Sequence, residues 1–241
     1  LLASSPPYPA FMMKFSDICE VYQQAEARRN RGELTISLDE MTGIQALERT
    51  MPDIPMKPGR AVKVEFEYHR HGTQTLIASL NVATGEIDHA TVGDRRTEAD
   101  LENHLNDLLA IHSEASKIHI VMDCLDTHCS EALVRLAAKL DNDPVELGKK
   151  GKSGILKSMA TRTAFLTDPT NRLVVHFTPK HCSWLNQIEI WFSILVRKLL
   201  RRSSFDSKTQ LRDKILAFIE YFNRTMAKPF KWNYTGKPLV A

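Results

Sequence analysis

Cysteine is scarce and scattered in this sequence. Cys19, Cys124, Cys129 and Cys182 form no Cys-x-x-Cys pair. That excludes a zinc ribbon and a disulfide framework, and makes a reducing, cytoplasmic setting the expectation. Long apolar runs are also lacking: none reaches the ~18 residues needed to cross a bilayer. The opening LLASSPPYPAFMMKF has neither the basic region nor the continuous apolar region of a secretory signal. It starts on leucine rather than an initiator methionine, as a fragment or a trimmed product does. No internal repeat is visible. What is present is a chain of 241 residues, 43% apolar and 25% charged. That is enough for one large domain with a real core, and its charge is too evenly spread for wholesale disorder.

The net charge is only +3, but its distribution is uneven. Between Leu147 and Thr167 stand Lys149, Lys150, Lys152, Lys157 and Arg162, with no acid among them. A second basic cluster follows at Arg197, Lys198, Arg201 and Arg202. Such patches suit either a solvated face or a polyanion, most often nucleic acid. The run GKKGKS (148–153) imitates a phosphate-binding P-loop. The motif needs its first glycine where Glu146 stands, and a strand before it, so a flexible basic loop touching a phosphate backbone is the better reading.

Residues 1–10 read as a Pro/Ser-rich tail, and Phe11 to Arg29 has helical spacing, with Phe15, Ile18, Val21 and Tyr22 on one stripe. Leu34 to Leu38 is a short strand ending at Asp39, and Met51 to Gly59 is a proline-rich loop. Val62 to Tyr68 alternates as an edge strand. Thr75 to Val82 and Glu86 to Val92 flank Ala83-Thr84-Gly85 as a hairpin. Thr97 to Ile111 is an amphipathic helix, Lys117 to Met122 a strand, and Ser130 to Leu140 a helix. Leu173 to Phe177 is a strand, Ser183 to Arg202 a long helix capped by Ser183, and Ser207 to Arg224 another helix. Antiparallel strands first and crossovers later predict an α/β protein with a mixed sheet flanked by helices. A strand-helix-strand unit closes in roughly 30 residues. The longer span before the last core strand predicts an inserted basic segment at about residues 141–168.

Three carboxylates stand out. Asp39 and Asp123 sit at strand ends, where ligands gather in open α/β sheets. Taken singly, each suits a turn or cap as well. Glu189 lies in SWLNQIEIWF, beside an apolar stripe of Leu185, Ile188, Phe192, Leu195 and Leu199. It therefore faces the sheet margin rather than bulk water. Carboxylates converging there suit hard cations such as Mg²⁺. Two such ions can activate an attacking oxygen and stabilise a leaving one in phosphodiester displacement.

Beyond these residues, several blocks carry a family likeness: SLDEMTGIQALER (37–49), EFEYHRHGTQTLIASLNVATGEI (65–87), VMDCLDTH (121–128), GKSGILKSMATR (151–162), HFTPKHCSWLNQIEIWFSIL (176–195) and YFNRTMAKPFKWNYTGKP (221–238). Together they resemble the catalytic region of IS630-type DDE transposases, in the IS630/Tc1/mariner superfamily. The resemblance implies an RNase H-like fold and the catalytic, metal-binding triad Asp39, Asp123 and Glu189. It implies Mg²⁺ or Mn²⁺, two ions in number, and metal-dependent cleavage and strand transfer of an insertion sequence. Its implied partners are DNA, both transposon ends and target, and a second copy of the chain on that DNA, with no membrane. A bacterial, nucleoid-associated location goes with it. The family often has Asn where Cys124 stands. The helix-turn-helix region that reads transposon ends in relatives is not in this sequence, so this chain alone is expected to lack most end recognition.

The expected division is a linker and leading helix at 1–30, the catalytic domain at 31–225 and a basic tail at 226–241. Candidate DNA contacts are Arg49, Arg70, His71, His128, Lys149, Lys150, Lys152, Lys157, Lys180, His181 and Trp184. His128 serves equally to orient Asp123, and Trp184 equally as core. The alternatives to a transposase are an RNase H-like nuclease without strand transfer and a truncated, inactive DNA-binding remnant.

Overall fold

The structure is a computed structural model that describes residues 8–51, 54, 56–61, 65–123, 126–141 and 145–234. Two helices lead, α1 (Tyr8–Gln23) and α2 (Ala25–Asn30). They are followed by strands β1 (Glu33–Arg49), β2 (Tyr68–Asn81) and β3 (Ile87–Gly93), then helix α3 (Glu98–Ile111) and strand β4 (Lys117–Met122). Helices α4 (Glu131–Leu140) and α5 (Met159–Leu166) precede β5 (Leu173–Phe177). Helices α6 (Ile188–Leu195) and α7 (Lys208–Thr225) follow. The sheet order is β3-β2-β1-β4-β5. The first three strands pair antiparallel, and β4 and β5 add in parallel to β1.

Alternation along β1 decides what each face of the sheet carries. Leu34, Ile36 and Leu38 pack with the helices α3, α4 and α5 on one side. Ser37 and Asp39 therefore project to the other side. At Gly43, with φ 67°, the β1–β2 register shifts between Met41 and Ile44. Such a bulge inverts the alternation. Beyond it Ile44 and Ala46 point to the opposite face, where they pack under α6 and α7 with Trp191, Phe192, Ile215 and Phe222. A third cluster joins α1 to the sheet through Phe15, Ile18, Val21, Val121 and Leu185.

Several boundaries differ from the sequence expectation. The strand expected at Leu34–Leu38 runs on to Arg49, because polar residues hide its continuation and the bulge breaks its pattern. Asp39 consequently lies within β1 rather than at its end. The expected edge strand at Val62–Tyr68 falls partly outside the described residues, and Glu65–Glu67 are not in a strand. The helix expected from Phe11 begins at Tyr8. In the span expected as an insertion, Leu156 and Leu166 are fully buried in the α3–α4 core. Residues of the tail fold back on α1: Trp232 lies 4.8 Å from Tyr22 and Tyr234 lies 5.0 Å from Phe15, ring centre to ring centre. Among the described residues no helix is long and apolar enough to cross a membrane.

Candidate active site

Pairing between β1 and β4 ends at Ser37 and Val121. Two residues further along the chain stand Asp39, still within β1, and Asp123, one residue past the end of β4, so the parallel register carries both to the open end of the ladder. Asp39 is buried to 6% exposure. Its Oδ1 accepts a hydrogen bond of 2.8 Å from the Glu40 amide, and its Oδ2 one of 3.2 Å from the Asn186 side chain. Burial pushes its pKa up to about 7, and the negative charges of Asp123, Glu40 and Glu189 push the same way against the Glu40 amide. Burial and the charge of Asp123 likewise raise the Glu189 carboxyl. The three sequence-predicted carboxylates thus act on one another from β1, the end of β4 and the first turn of α6.

Helix α6 is placed from a distance rather than by its own first residue. The continuous helix expected over Ser183–Arg202 is broken: a 3-10 turn at Ser183–Leu185 is followed by Asn186 and Gln187, and the α-helix starts at Ile188. Ser183 does not cap it. The cap comes from β1, where the Ser37 hydroxyl accepts the Ile188 amide at 2.9 Å and donates to Asn186 Oδ1. Asn186 also donates to the Leu38 carbonyl at 2.8 Å. Every one of these groups is buried, so each bond lacks competing water and fixes the register of Glu189 against Asp39.

His128 was a candidate DNA contact, but it is fully buried and offers no surface to a polyanion. Its Nδ1 lies 2.7 Å from Asp123 Oδ1 and its Nε2 3.2 Å from Glu40 Oε1. Burial alone would lower its pKa, but these two carboxylates outweigh burial and raise it to about 10. The imidazolium clamps Asp123 against β1. Glu40 has its other oxygen, Oε2, buried and without a hydrogen-bond partner, with the Arg96 guanidinium 4.0 Å away. Sequence reading missed Asn186, whose signal was position alone, three residues before the third acid.

Among the described residues no three His, Cys, Asp or Glu side chains are close enough together to hold a metal ion. Mg²⁺, however, is held through one or two carboxylates and keeps its waters. An all-oxygen donor set, an unpartnered buried Glu40 oxygen and an Asp39 burdened by like charges fit hard divalent cations.

The other candidates are more scattered. The Arg49 guanidinium donates to the Arg201 carbonyl at 3.2 Å. Arg70 lies over the Tyr68 ring, and His71 pairs with Glu48 at 2.7 Å, both on the exposed first half of β2. Lys149, Lys150 and Lys152 sit exposed on a tight turn closed by a Lys149–Ser153 bridge, and Lys157 is exposed just after it. Lys180, His181 and Trp184 are exposed between β5 and α6, with Trp184 at 56%. Cys124 lies outside the described residues.

The family model described as DDE superfamily endonuclease matches residues 35–212, which include both aspartates and the glutamate. The chain is a DDE superfamily endonuclease. The fold of this endonuclease is shared with solved Mos1 mariner transposase structures. The Mos1 paired-end complex with Mn superposes with a TM-score of 0.54 at 12% identity, over 93% of this chain and 61% of that one. The Mos1 strand transfer complex gives 0.54 at 12% identity, over 91% and 57%. The Mos1 catalytic domain alone gives 0.51 at 9%, over 90% and 85%. The endonuclease thus has the RNase H-like mixed sheet expected from its sequence, and spans about 60% of the length of the Mos1 chains in those complexes. No curated protein matches the sequence.

Proposed function

We propose that this endonuclease is the catalytic domain of a transposase, cutting and joining DNA strands at Asp39, Asp123 and Glu189. What carries the reading is the placement of these three carboxylates, Asp39 in β1, Asp123 just past β4 and Glu189 in the first turn of α6, within the stretch matched by the DDE endonuclease family model. The reading places catalysis within residues 31–225, and takes an IS630-type insertion sequence as the element moved. DNA ends and target are its substrates, and a pair of chains acts on them. Strand joining draws support from the likeness to a strand transfer complex, and Mn²⁺ or Mg²⁺ from the likeness to a complex with Mn.

When bound, two divalent cations would activate the attacking oxygen and stabilise the leaving one. The protein's part is orientation. Asn186 and the Glu40 amide aim Asp39, His128 holds Asp123 through its Oδ1, and the Ser37-capped α6 presents Glu189. Cleavage and joining are both in-line displacements at phosphorus, so one constellation serves both. Asp123→Asn should abolish Mn²⁺-dependent nicking of supercoiled plasmid while leaving DNA affinity unchanged. Full nicking by that variant sinks the assignment. A pre-cleaved end incubated with target DNA tests joining separately: absence of joined product would mark a nuclease without strand transfer.

A further inference from the structure

A groove of about 710 Å³ opens beside the carboxylates, between β1 and the segment that follows α6. Glu40, Thr42, Glu189 and Ser193 are among the residues that line it, together with Arg197 and Arg201. Why these two arginines reach the groove follows from helix geometry. Arg201 is twelve residues beyond Glu189, which on an unbroken α-helix is three turns plus about 120°, turned well away from the carboxylate. The helix is not unbroken. Val196–Leu200 form a π-helical turn, in which the Arg201 amide donates to the Val196 carbonyl at 2.9 Å. Such a turn holds more residues per revolution, and so swings Arg201 back toward the side of Glu189.

The backbone of this turn is tethered. Arg49 donates to the Arg201 carbonyl, the Arg49 amide donates to the Ser204 hydroxyl at 3.0 Å, and the Phe205 amide donates to the Leu47 carbonyl at 2.8 Å. The end of β1 thereby fixes where Arg201 projects. Arg197 donates to the Ser193 carbonyl at 3.1 Å. Among the described residues neither guanidinium is in an ion pair, and both are exposed.

We propose that Arg197 and Arg201 form a phosphate subsite that seats the DNA backbone in this groove, next to the phosphodiester presented to the carboxylates. The proposal rests on the transposase reading and deepens it. The planar guanidinium forks match phosphate oxygens, and the arginines supply positive charge in a groove whose other charged lining residues are Glu40 and Glu189. They position the strand and take no part in the chemical step.

The test measures affinity for a labelled random-sequence duplex by fluorescence anisotropy across a salt series, in buffer with chelator, alongside Mn²⁺-dependent plasmid nicking. The Arg197→Ala/Arg201→Ala double variant should bind roughly tenfold or more weakly. Its dependence of log affinity on log salt should be shallower by about 2. The Arg197→Lys/Arg201→Lys double variant should keep the wild-type salt slope while binding more weakly, since charge is retained and the fork lost. Both positions are exposed, so an unchanged melting temperature is expected for each variant. Wild-type affinity and slope in the alanine variant overturn the subsite and leave the transposase reading standing, provided wild-type protein nicks DNA. A wild-type chain that neither binds nor nicks DNA overturns both.

Discussion

Single residues in this protein hold more than the carboxylates they neighbour. His128 sits between Asp123 and Glu40 with no exposed surface, and the Glu40 side chain is nearly as buried. Removing the cation leaves two acids to repel across a poorly solvated gap. His128→Ala should therefore cost about 3–5 kcal/mol of stability, as breaking a buried pair from one side does. Urea denaturation measures the loss. Removing His128 and Glu40 together should cost less than the sum of the single changes, and strict additivity would show that the two do not interact. VMDCLDTH made the histidine conspicuous in the sequence, but not its burial. Both a DNA contact and an orienting group fit its spacing, and only the 3-10 turn Asp126–Cys129, which brings the histidine against Glu40 of β1, separates them.

At the scale of elements, the strands β4 and β5 were legible to the residue, because each is a short apolar run between polar breaks. The helices α3 and α7 were legible to within a residue of their bounds, and each starts just after an expected first residue, Thr97 or Ser207, whose side chain accepts the Asp100 or Gln210 amide. Two elements were not. In β1 the bulge at Gly43 exchanges the faces, so no single alternation runs through ELTISLDEMTGIQALER. In the span from Ser183 to Arg202 the apolar spacing reads as continuous. The break at Asn186 and the π-turn arise from bonds to β1, which local periodicity does not record. The hairpin turn, by contrast, announced itself through Gly85. There φ is 77°, and a Cβ would lie 2.0 Å from the Lys228 carbonyl oxygen. Gly85→Ala should lower stability by about 1–3 kcal/mol, from left-handed strain and displacement of the chain around Lys228. Tryptic cleavage after Lys231 should quicken accordingly; an unchanged cleavage rate would mean that the tail is not anchored by this turn.

At the scale of the whole molecule, burial acts on the protonation of two histidines. His104 lies between Ser79 and Thr91, bonded to both hydroxyls at 2.8 and 2.9 Å, and burial lowers its pKa to about 3. His119 is lowered to about 3 as well, by burial and then by Arg28. An unfolded histidine takes up a proton near pH 6.5. Above that pH both states are neutral and nothing is lost. Below it the unfolded chain binds protons that the folded chain refuses, so stability falls as pH drops from about 6.5 toward 3. His104 alone should contribute a slope of about 1.4 kcal/mol per pH unit in that window. Urea midpoints at pH 7 and pH 5 should differ, and His104→Gln should flatten the difference. An equal pH dependence in wild type and variant would show that His104 does not stay neutral in the fold.

The cap that Ser37 places on α6 also has a consequence for biosynthesis. Its partners, Ser37 and the Ile188 amide, are 151 residues apart in the chain. A ribosome delivers the first strand long before the helix it caps, and contacts of such long range form slowly. The two aspartates can come side by side once β4 has paired with β1, while the third acid still awaits a helix start that only the first strand can complete. The nascent chain therefore holds an incomplete site until its last helices emerge.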